Sequence, residues 1–208
     1  MDGDPAALEV EGLEKSFGTK RVLNGVDATL RTGERLGLSG PNGSGKTTLL
    51  RCIAGTIAPD SGSVRVAGFP GGSTEAAAAI GVTLAQDKAF YLRLSGLNNL
   101  RFYASLRWKT RRQAHADVAA LVEELEIGAF VRERASKYSS GMMQQLGLAR
   151  ALVGKPALLL LDEPTRSLDH DAIGRLWRAL DRRPEVTVVM ASHRRSDLER
   201  CDRHLELK

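Results

Sequence analysis

The feature that most constrains this chain of 208 residues is a glycine-rich run that ends in a lysine and two threonines. Its sequence, Gly-Pro-Asn-Gly-Ser-Gly-Lys-Thr-Thr over residues 40–48, fits the pattern G-x-x-x-x-G-K-[ST]. We predict a strand before it over Arg35–Ser39 and an apolar helix after it over Lys46–Ala54. Such glycines let backbone N–H groups point inward, and the start of the helix adds positive potential. The run predicts a phosphate-binding loop built by Gly40, Asn42, Gly43, Ser44, Gly45, Lys46, Thr47 and Thr48.

A second motif supplies the carboxylates that phosphate chemistry needs. Four leucines are followed by Asp162 and Glu163, and the end of a buried strand lies beside the phosphate loop in sheets of this kind. We expect Lys46 to reach the β- and γ-phosphates and the Thr47 hydroxyl to ligate Mg²⁺. Asp162 would hold the shell of the Mg²⁺ ion through water, and Glu163 would act as general base on an attacking water.

The order of predicted elements indicates the fold class. Continuous apolar runs at Ala157–Leu161 and Val186–Ala191 are typical of strands buried on both faces. Strands alternate with helical patterns over most of the chain, which predicts an α/β fold with a mainly parallel central sheet. Residues 95–134 contain no strand pattern and are interpreted as a helical insertion.

Composition excludes several classes of protein. The net charge of +5 fits anionic partners such as nucleotides, nucleic acid or a membrane surface, but a solvated arginine-rich surface explains most of the excess. Two distant cysteines do not form a disulfide framework. No apolar run approaches the length of a transmembrane helix, and the acidic start of the chain predicts no signal peptide.

Further motifs follow in one order along the chain, and together they resemble those of the ATP-binding subunits of ABC transporters over nearly the whole length. Their details look more like ATPases of bacterial export systems than like importers. The motifs beyond the phosphate loop are Gln86, Tyr138–Met142, Leu161–Thr165, Ser167–Asp169 and Ser192-His193.

The resemblance implies roles for individual residues. Phe17 looks like the aromatic residue that stacks on adenine, and Gln86 like the glutamine that senses Mg²⁺ and the attacking water. Ser139 and Gly141 resemble the signature that binds the γ-phosphate of an ATP held by the opposite subunit. Asp169 resembles the residue that crosses the dimer interface, and His193 the switch histidine that contacts the γ-phosphate.

The resemblance also implies an architecture and partners. We expect a P-loop NTPase fold in a single ABC ATPase domain over residues 1–208, with an N-terminal antiparallel β portion and a helical subdomain inserted at about 87–153. ATP and Mg²⁺ would be bound in a head-to-tail dimer of identical or different ATPase subunits. The partner would be a polytopic transmembrane permease, and the chain would lie peripherally at the cytoplasmic face of the inner membrane. The cargo is not encoded, and drug, lipid, haem, peptide and ion transport all stay open.

The signature departs from the family pattern. The usual sequence is Leu-Ser-Gly-Gly-Gln, whereas residues 138–142 are Tyr-Ser-Ser-Gly-Met. The serine and the second glycine are kept, so we expect the phosphate contact to survive. Ser140 and Met142 replace a glycine and a glutamine that contribute to its geometry. The chain ends at Lys208, soon after the last predicted strand, and we expect no C-terminal regulatory domain.

Two other functions compete with transport. A non-transport ATPase of the same fold that acts on nucleic acid or ribosomes would use the basic stretch Arg107–Arg112, in which Trp108 could stack on a base. A solvated helix connection or a contact to lipid headgroups explains the stretch better, so nucleic acid is not the expected partner. A nucleotide-binding module without turnover is the other alternative, and Glu163 and His193 argue against it.

Overall fold

The computed structural model describes residues 6–84 and 90–208 of the chain, which divide into two compact units. The sheet unit comprises the described residues of Met1–Ala85 with Ala157–Glu163 and Glu185–Lys208. The helical unit comprises the described residues of Gln86–Pro156 with Pro164–Pro184. A helical subdomain bounded at about 87–153 stays a prediction, and the helical unit also includes the later segment.

All strands of the described residues lie in the sheet unit. They form an antiparallel sheet in the order β2-β1-β4-β5 and a parallel sheet in the order β6-β7-β8-β3-β9. This confirms the predicted α/β fold with a parallel central sheet and an antiparallel N-terminal portion. The strands are β1 (Leu8–Phe17), β2 (Lys20–Leu30), β3 (Arg35–Ser39), β4 (Ser61–Val66), β5 (Phe69–Pro70), β6 (Ile80–Thr83), β7 (Leu158–Asp162), β8 (Thr187–Ala191) and β9 (Arg203–Glu206).

The helices are divided between the two units. None of those within residues 6–84 and 90–208 combines the length and the apolar character that a bilayer crossing needs. The sheet unit contains α1 (Lys46–Ile53), α2 (Thr74–Ala79) and α8 (Arg195–Leu198). The helical unit contains α3 (Gly96–Arg107), α4 (Arg111–Glu124), α5 (Gly128–Val131), α6 (Ser140–Leu152) and α7 (His170–Asp181).

The parallel sheet brings the ends of two distant strands to one edge. Every residue of β7 and β8 is buried, as expected for strands covered on both faces. Strand β8 lies between β7 and β3, and all three run in the same direction. The loop after β3 and the carboxylates at the end of β7 therefore lie at the same edge, where ligands bind in open α/β sheets.

The core of the sheet unit joins the antiparallel sheet, α1 and the parallel sheet in one apolar cluster. Leu50 and Ile53 of α1 belong to the same cluster as Leu160 of β7 and Val189 of β8. The apolar face of α1 therefore fixes the helix against the strands whose ends form the site.

Strand β1 is longer than the sequence indicates. The pattern predicts a strand over Leu8–Val10, but the strand continues to Phe17. Strands β2 and β4 pair with its two edges, so backbone hydrogen bonds sustain the strand through polar residues and several register shifts. Periodicity does not detect this, because the second half of the strand does not alternate regularly.

The glycine-rich sequence of residues 68–73 predicts a loop, but this is wrong for Phe69–Pro70, which forms strand β5. Phe69 pairs with Val66 across a two-residue turn. Both turn residues have positive φ, 50° at Ala67 and 79° at Gly68. Tight hairpins favour such turns, but alanine is an uncommon residue in the left-handed conformation, which hides the hairpin signal.

Helix α3 offers a matched test of the packing in the helical unit. Leu100 is fully buried, whereas Leu106 on the same helix is 67% exposed. We expect Leu100→Ala to lower the free energy of unfolding by about 2–5 kcal/mol, because it removes buried contacts and leaves a cavity. Leu106→Ala should change it by less than about 0.5 kcal/mol. Urea unfolding followed by circular dichroism measures both, and equal losses in the two variants would contradict the packing.

Candidate functional site

Helix α1 differs from the other helices in how it begins. It follows Gly45 and has no side-chain cap, whereas every other described helix of six or more residues is capped by a hydroxyl or carboxylate side chain. The N–H groups at the start of a helix attract anions when no side chain satisfies them. The caps of the other helices are Ser73, Ser95, Thr110, Ser139 and Asp169.

The loop before α1 surrounds a buried lysine. Lys46 Nζ donates to the carbonyl oxygens of Gly40 at 2.7 Å and Pro41 at 2.9 Å, so the ammonium group lies against the loop. The Ser44 hydroxyl is buried and has no hydrogen-bond partner among the described residues. A buried hydroxyl without a partner costs roughly 1–3 kcal/mol, which an oxygen ligand in the loop would recover.

The remaining predicted residues of the loop form its surface and its junction with the helix. Asn42 and Gly43 are exposed, and Thr48 is half-buried in the first turn of α1. Gly45 has φ of 102°, and a Cβ atom there would lie 2.9 Å from both the Val22 carbonyl oxygen and Leu23 Cδ2. The close approach of β2 and the left-handed backbone together require glycine at this position.

A hydrogen bond joins the end of the loop to the carboxylate at the end of β7. Thr47 Oγ1 donates to Asp162 Oδ2 at 2.7 Å, although 115 residues separate them in sequence. Asp162 is buried, so its carboxylate is fixed in place. A hydroxyl and a carboxylate oxygen are suitable Mg²⁺ ligands. Thr47 and Asp162 therefore fit the cation that accompanies a nucleoside triphosphate.

Glu163 has an unusual backbone conformation. Its φ is 51°, in the left-handed region that residues other than glycine rarely adopt. Its N–H group donates to the Ala191 carbonyl oxygen at 2.8 Å, which ties it to the end of β8. The side chain is largely buried, and Oε1 lies 3.6 Å from His193 Nε2. The structure thus brings together two of the predicted catalytic residues.

The turn that contains His193 is held by a residue that sequence reasoning missed. The Ser192 hydroxyl donates to Asp197 Oδ2 at 2.8 Å and accepts from the Arg194 N–H group at 3.0 Å. Asp197 is almost fully buried although basic residues surround it in sequence. The sequence shows only that Asp197 follows Ser192 by five residues, and this spacing does not predict a buried hydrogen bond between them.

Phe17 lies at the end of β1 with about half of its ring exposed. Lys15 Nζ lies 5.6 Å from the ring centroid, in range of a cation–π contact. Asp60 accepts from Lys15 Nζ at 2.7 Å and from the Ser16 N–H group at 2.6 Å, which fixes this strand end. The hydrogen bond from Lys15, followed by that from Ser16, holds the pKa of Asp60 below its ordinary value.

Ser139 begins helix α6 of the helical unit as its N-cap. Its hydroxyl accepts from the Met142 N–H group at 3.2 Å, so the cap depends on the backbone of Met142 and not on its side chain. Ser139 is exposed and stands at the positive end of the helix, where an anion is stabilised. Replacement of the usual glutamine by Met142 therefore leaves this cap intact.

Two neighbours of Ser139 fix the signature within the helical unit. The Tyr138 hydroxyl accepts from the Gly96 N–H group at 3.1 Å, and burial raises the pKa of the phenol. A Cβ atom on Gly141 would lie 2.7 Å from the Ser167 carbonyl oxygen, so only glycine fits there. The retained glycine thus has a packing reason of its own.

The other predicted site residues are only partly described. Asp169 caps α7 by accepting from the Ala172 N–H group at 2.8 Å, and it is exposed. Gln86 lies outside the described residues. The sheet unit therefore brings the phosphate loop, Asp162, Glu163 and His193 together, and the helical unit contains the signature and Asp169.

Comparison with known proteins places these motifs in a family. Residues 23–166 match the family model described as ABC transporter. The chain is 36% identical over 202 residues to the uncharacterized ABC transporter ATP-binding protein YdbJ of Bacillus subtilis (strain 168), covering 94% of this chain and 64% of that protein. It is 36% identical over 205 residues to the Nod factor export ATP-binding protein I of Rhizobium johnstonii, covering 96% and 65%.

A third relative and two solved structures are also similar to this chain. The probable multidrug ABC transporter ATP-binding protein YbhF of Escherichia coli (strain K12) is 41% identical over 176 residues, which cover 83% of this chain and 30% of that protein. The chain thus spans less than two thirds of the length of these curated relatives. A dimeric bacterial ABC transporter cassette has a TM-score of 0.88 at 22% identity, with 97% of this chain and 94% of that chain covered. A post-hydrolysis dimer of such a cassette, bound to ADP and Pi, has a TM-score of 0.87 at 22% identity, with the same coverage.

The loop geometry predicts that Gly45→Ala abolishes nucleotide binding. The added Cβ would meet β2 at 2.9 Å and require an alanine with φ of 102°, so the loop must change shape. Gly147→Ala is the matched control, because it lies within α6 with no heavy atom within 4 Å of the added Cβ. Titration with a fluorescent ATP analogue measures the affinity. Wild-type affinity in Gly45→Ala would contradict the predicted role of the loop.

Proposed function

Since this chain belongs to the ABC transporter family, we propose that it binds and hydrolyses ATP to power transport through a separate transmembrane partner, with export as the favoured direction. The observation that supports this most strongly is the hydrogen bond from Thr47 to Asp162 at 2.7 Å. It holds the end of the phosphate loop against the acidic pair, and this is the arrangement that Mg²⁺-dependent phosphoryl transfer needs.

Nucleotide binding would use residues at one edge of the parallel sheet and at the end of β1. Phe17 offers a half-exposed ring for adenine. The loop from Gly40 to Thr48 offers backbone N–H groups, and the Lys46 ammonium would exchange its loop carbonyls for phosphate oxygens. Thr47 and Asp162 would hold Mg²⁺ with Gln86, and the ion neutralises charge on the phosphates when it is bound.

Hydrolysis would depend on Glu163 and His193. The Glu163 carboxylate would accept a proton from the water that attacks the γ-phosphorus, while the bond to the leaving ADP oxygen breaks. Its backbone is fixed by the hydrogen bond to Ala191, so the carboxylate has little freedom to leave this position. The two side chains lie 3.6 Å apart, so the imidazole would lie beside the same reacting phosphate.

The signature would complete the site of a second subunit. Ser139 and Gly141 lie at the exposed start of α6, and Asp169 lies at the exposed start of α7. A phosphate at the start of α6 would gain both the hydroxyl and the helix dipole. We propose a head-to-tail dimer in which each γ-phosphate joins two chains, and in which hydrolysis removes the link. The second ATPase subunit would be identical or different.

The direction of transport and the location of this chain are proposed from its relatives. One relative is named as a probable multidrug transporter protein and another as a Nod factor export protein. These names favour export by this chain as well. A permease would supply the membrane crossing, and this chain would lie at the cytoplasmic face of the inner membrane. The cargo would be selected by that partner.

The catalytic proposal predicts that Glu163→Gln slows ATP hydrolysis by at least about 100-fold, since a general base contributes roughly 10²–10⁴-fold. Nucleotide binding should persist, because glutamine has the same length and the loop is untouched. Glu199→Gln is the control, as Glu199 is an exposed carboxylate paired with Arg195 at 2.9 Å. Phosphate release measures the rate. A Glu163→Gln rate equal to wild type would assign the proton transfer to another group.

The dimer proposal predicts that Glu163→Gln forms an ATP-dependent dimer and that adding Ser139→Asp prevents it. Aspartate is as good an N-cap as serine, so α6 is preserved while the new charge repels the γ-phosphate. Ser95→Asp in the same background is the control, because Ser95 caps α3 in the same way by accepting from the Asn98 N–H group at 3.1 Å. Light scattering with ATP measures the mass. Dimers in both double variants would show that Ser139 is not at the interface.

A further inference from the structure

The positive charge of this chain is concentrated in one segment of the helical unit. Residues 90–116 contain six arginines and lysines and no aspartate or glutamate. The whole chain has a net charge of +5, so the remainder has 5 − 6 = −1. The basic excess is therefore a local property. The six residues are Arg93, Arg101, Arg107, Lys109, Arg111 and Arg112.

The connection between α3 and α4, residues 107–112, presents most of this charge to solvent, and we call it the basic connection. Lys109, Arg111 and Arg112 are exposed and form no ion pair with any residue in the described part of the chain. The arginines of α7 and of the residues just after it differ, since Arg175 lies 3.5 Å from Glu126 and Arg183 lies 2.6 Å from Glu124. Among the described residues, acidic side chains therefore neutralise these arginines but not Lys109, Arg111 and Arg112.

The position of two of these charges opposes helix stability. Arg111 and Arg112 form the first turn of α4, which contains no acidic residue. Cations at the start of a helix are unfavourable because the helix dipole is positive there. The helix dipole therefore does not explain arginine at these positions, whereas binding of an external anion would.

Exposed apolar side chains lie next to the basic connection. Leu106, directly before it, is 67% exposed, and Phe102 lies one helical turn earlier on the same face of α3. The ring of Tyr91, also exposed, contacts the ring of Phe102 edge to face with centroids 5.3 Å apart. We call these three residues the apolar strip.

We propose that the basic connection and the apolar strip together form a docking surface for an anionic lipid bilayer. Arginine and lysine bind lipid phosphates while aliphatic and aromatic side chains enter the boundary between headgroups and acyl chains. Leucine and aromatic residues beside unpaired cations supply both halves of this interaction. The contact goes beyond ATP hydrolysis, and it would orient the helical unit on the membrane without a nucleotide.

Nucleic acid fits this surface less well. Binding of a single strand combines cations with aromatic rings that are available for stacking. Trp108 is the aromatic residue within the basic connection, but its indole N–H group donates to Asp117 Oδ2 at 3.0 Å and its side chain is half-buried. Tyr91 and Phe102 are exposed but pack edge to face against each other. Leu106, the most exposed apolar side chain here, has no face on which a base could stack.

The test is sedimentation of the full chain, without nucleotide, with two kinds of vesicle. One is made of phosphatidylcholine alone, and the other contains an equal part of phosphatidylglycerol. We expect binding to the anionic vesicles only, and release in about 1 M salt, where the Debye length is about 3 Å. Each basic residue near an anionic surface contributes roughly fivefold to partitioning, so Arg111→Glu with Arg112→Glu should weaken binding by at least about 25-fold.

Matched variants separate this surface from net charge. Arg31→Glu with Arg132→Glu changes two exposed arginines elsewhere and alters the net charge equally, so its binding should decrease far less. Arg111→Gln with Arg112→Gln, which removes two positive charges without adding negative ones, should give an intermediate loss of binding. Circular dichroism checks the fold of all variants.

Equal losses in the two charge-reversed variants, or no binding by wild type, would overturn the proposal. Preferential binding of a labelled oligonucleotide over anionic vesicles at equal phosphate concentration would overturn it in favour of nucleic acid. Because ATP is absent, none of these outcomes bears on the proposed hydrolysis.

Discussion

The hydrogen bond from Thr47 Oγ1 to Asp162 Oδ2 joins two segments that the chain sequence separates by 115 residues. It is possible only because β3 and β7 are parallel and end at the same edge, with β8 between them. The carboxyl end of β8 contributes as well, since the Ala191 carbonyl oxygen accepts from Glu163. The site therefore depends on strand order, and any loss of register in the buried sheet would displace the phosphate loop from the carboxylates.

Locally unfavourable features of the sheet unit concentrate at this edge. Helix α1 lacks a side-chain cap, the Ser44 hydroxyl has no partner among the described residues, and Glu163 has a left-handed backbone. Each of these costs stability, on the order of 1–3 kcal/mol. The apolar cluster beneath the sheet, which includes Leu50 and Leu160, offsets them. Such departures from local rules are expected where residues serve binding and not folding.

The sequence predicts the architecture of the site because its motifs are local and their order is specific. The loop, the acidic pair and the histidine are each recognisable within a few residues, and the alternation of elements places them at one sheet edge. Contacts that join distant residues are not recognisable in this way. Neither the close approach of Gly45 to Val22 nor that of Gly141 to Ser167 follows from spacing, because both depend on how the chain folds back on itself.

The extent of the strands and the environment of the surface charges could not be predicted from the sequence and are seen only in the structure. Strand β1 continues to Phe17 because two partner strands support it, and the hairpin at Ala67 has a turn residue that sequence rules disfavour. The basic stretch is visible in sequence, but three facts about it are not. Lys109, Arg111 and Arg112 are exposed, they form no ion pair with the residues that the structure describes, and Trp108 is engaged by Asp117. These facts favour a lipid surface, which the sequence had already preferred over nucleic acid together with a solvated helix connection.

The most direct measurement is the rate of phosphate release per chain as a function of protein concentration, with light scattering on the same samples. An ATP site completed by the signature of a second chain predicts that activity per chain rises with concentration and reaches a plateau as dimers form. Constant activity per chain in samples that remain monomeric would contradict the account, because each chain would then hydrolyse ATP alone.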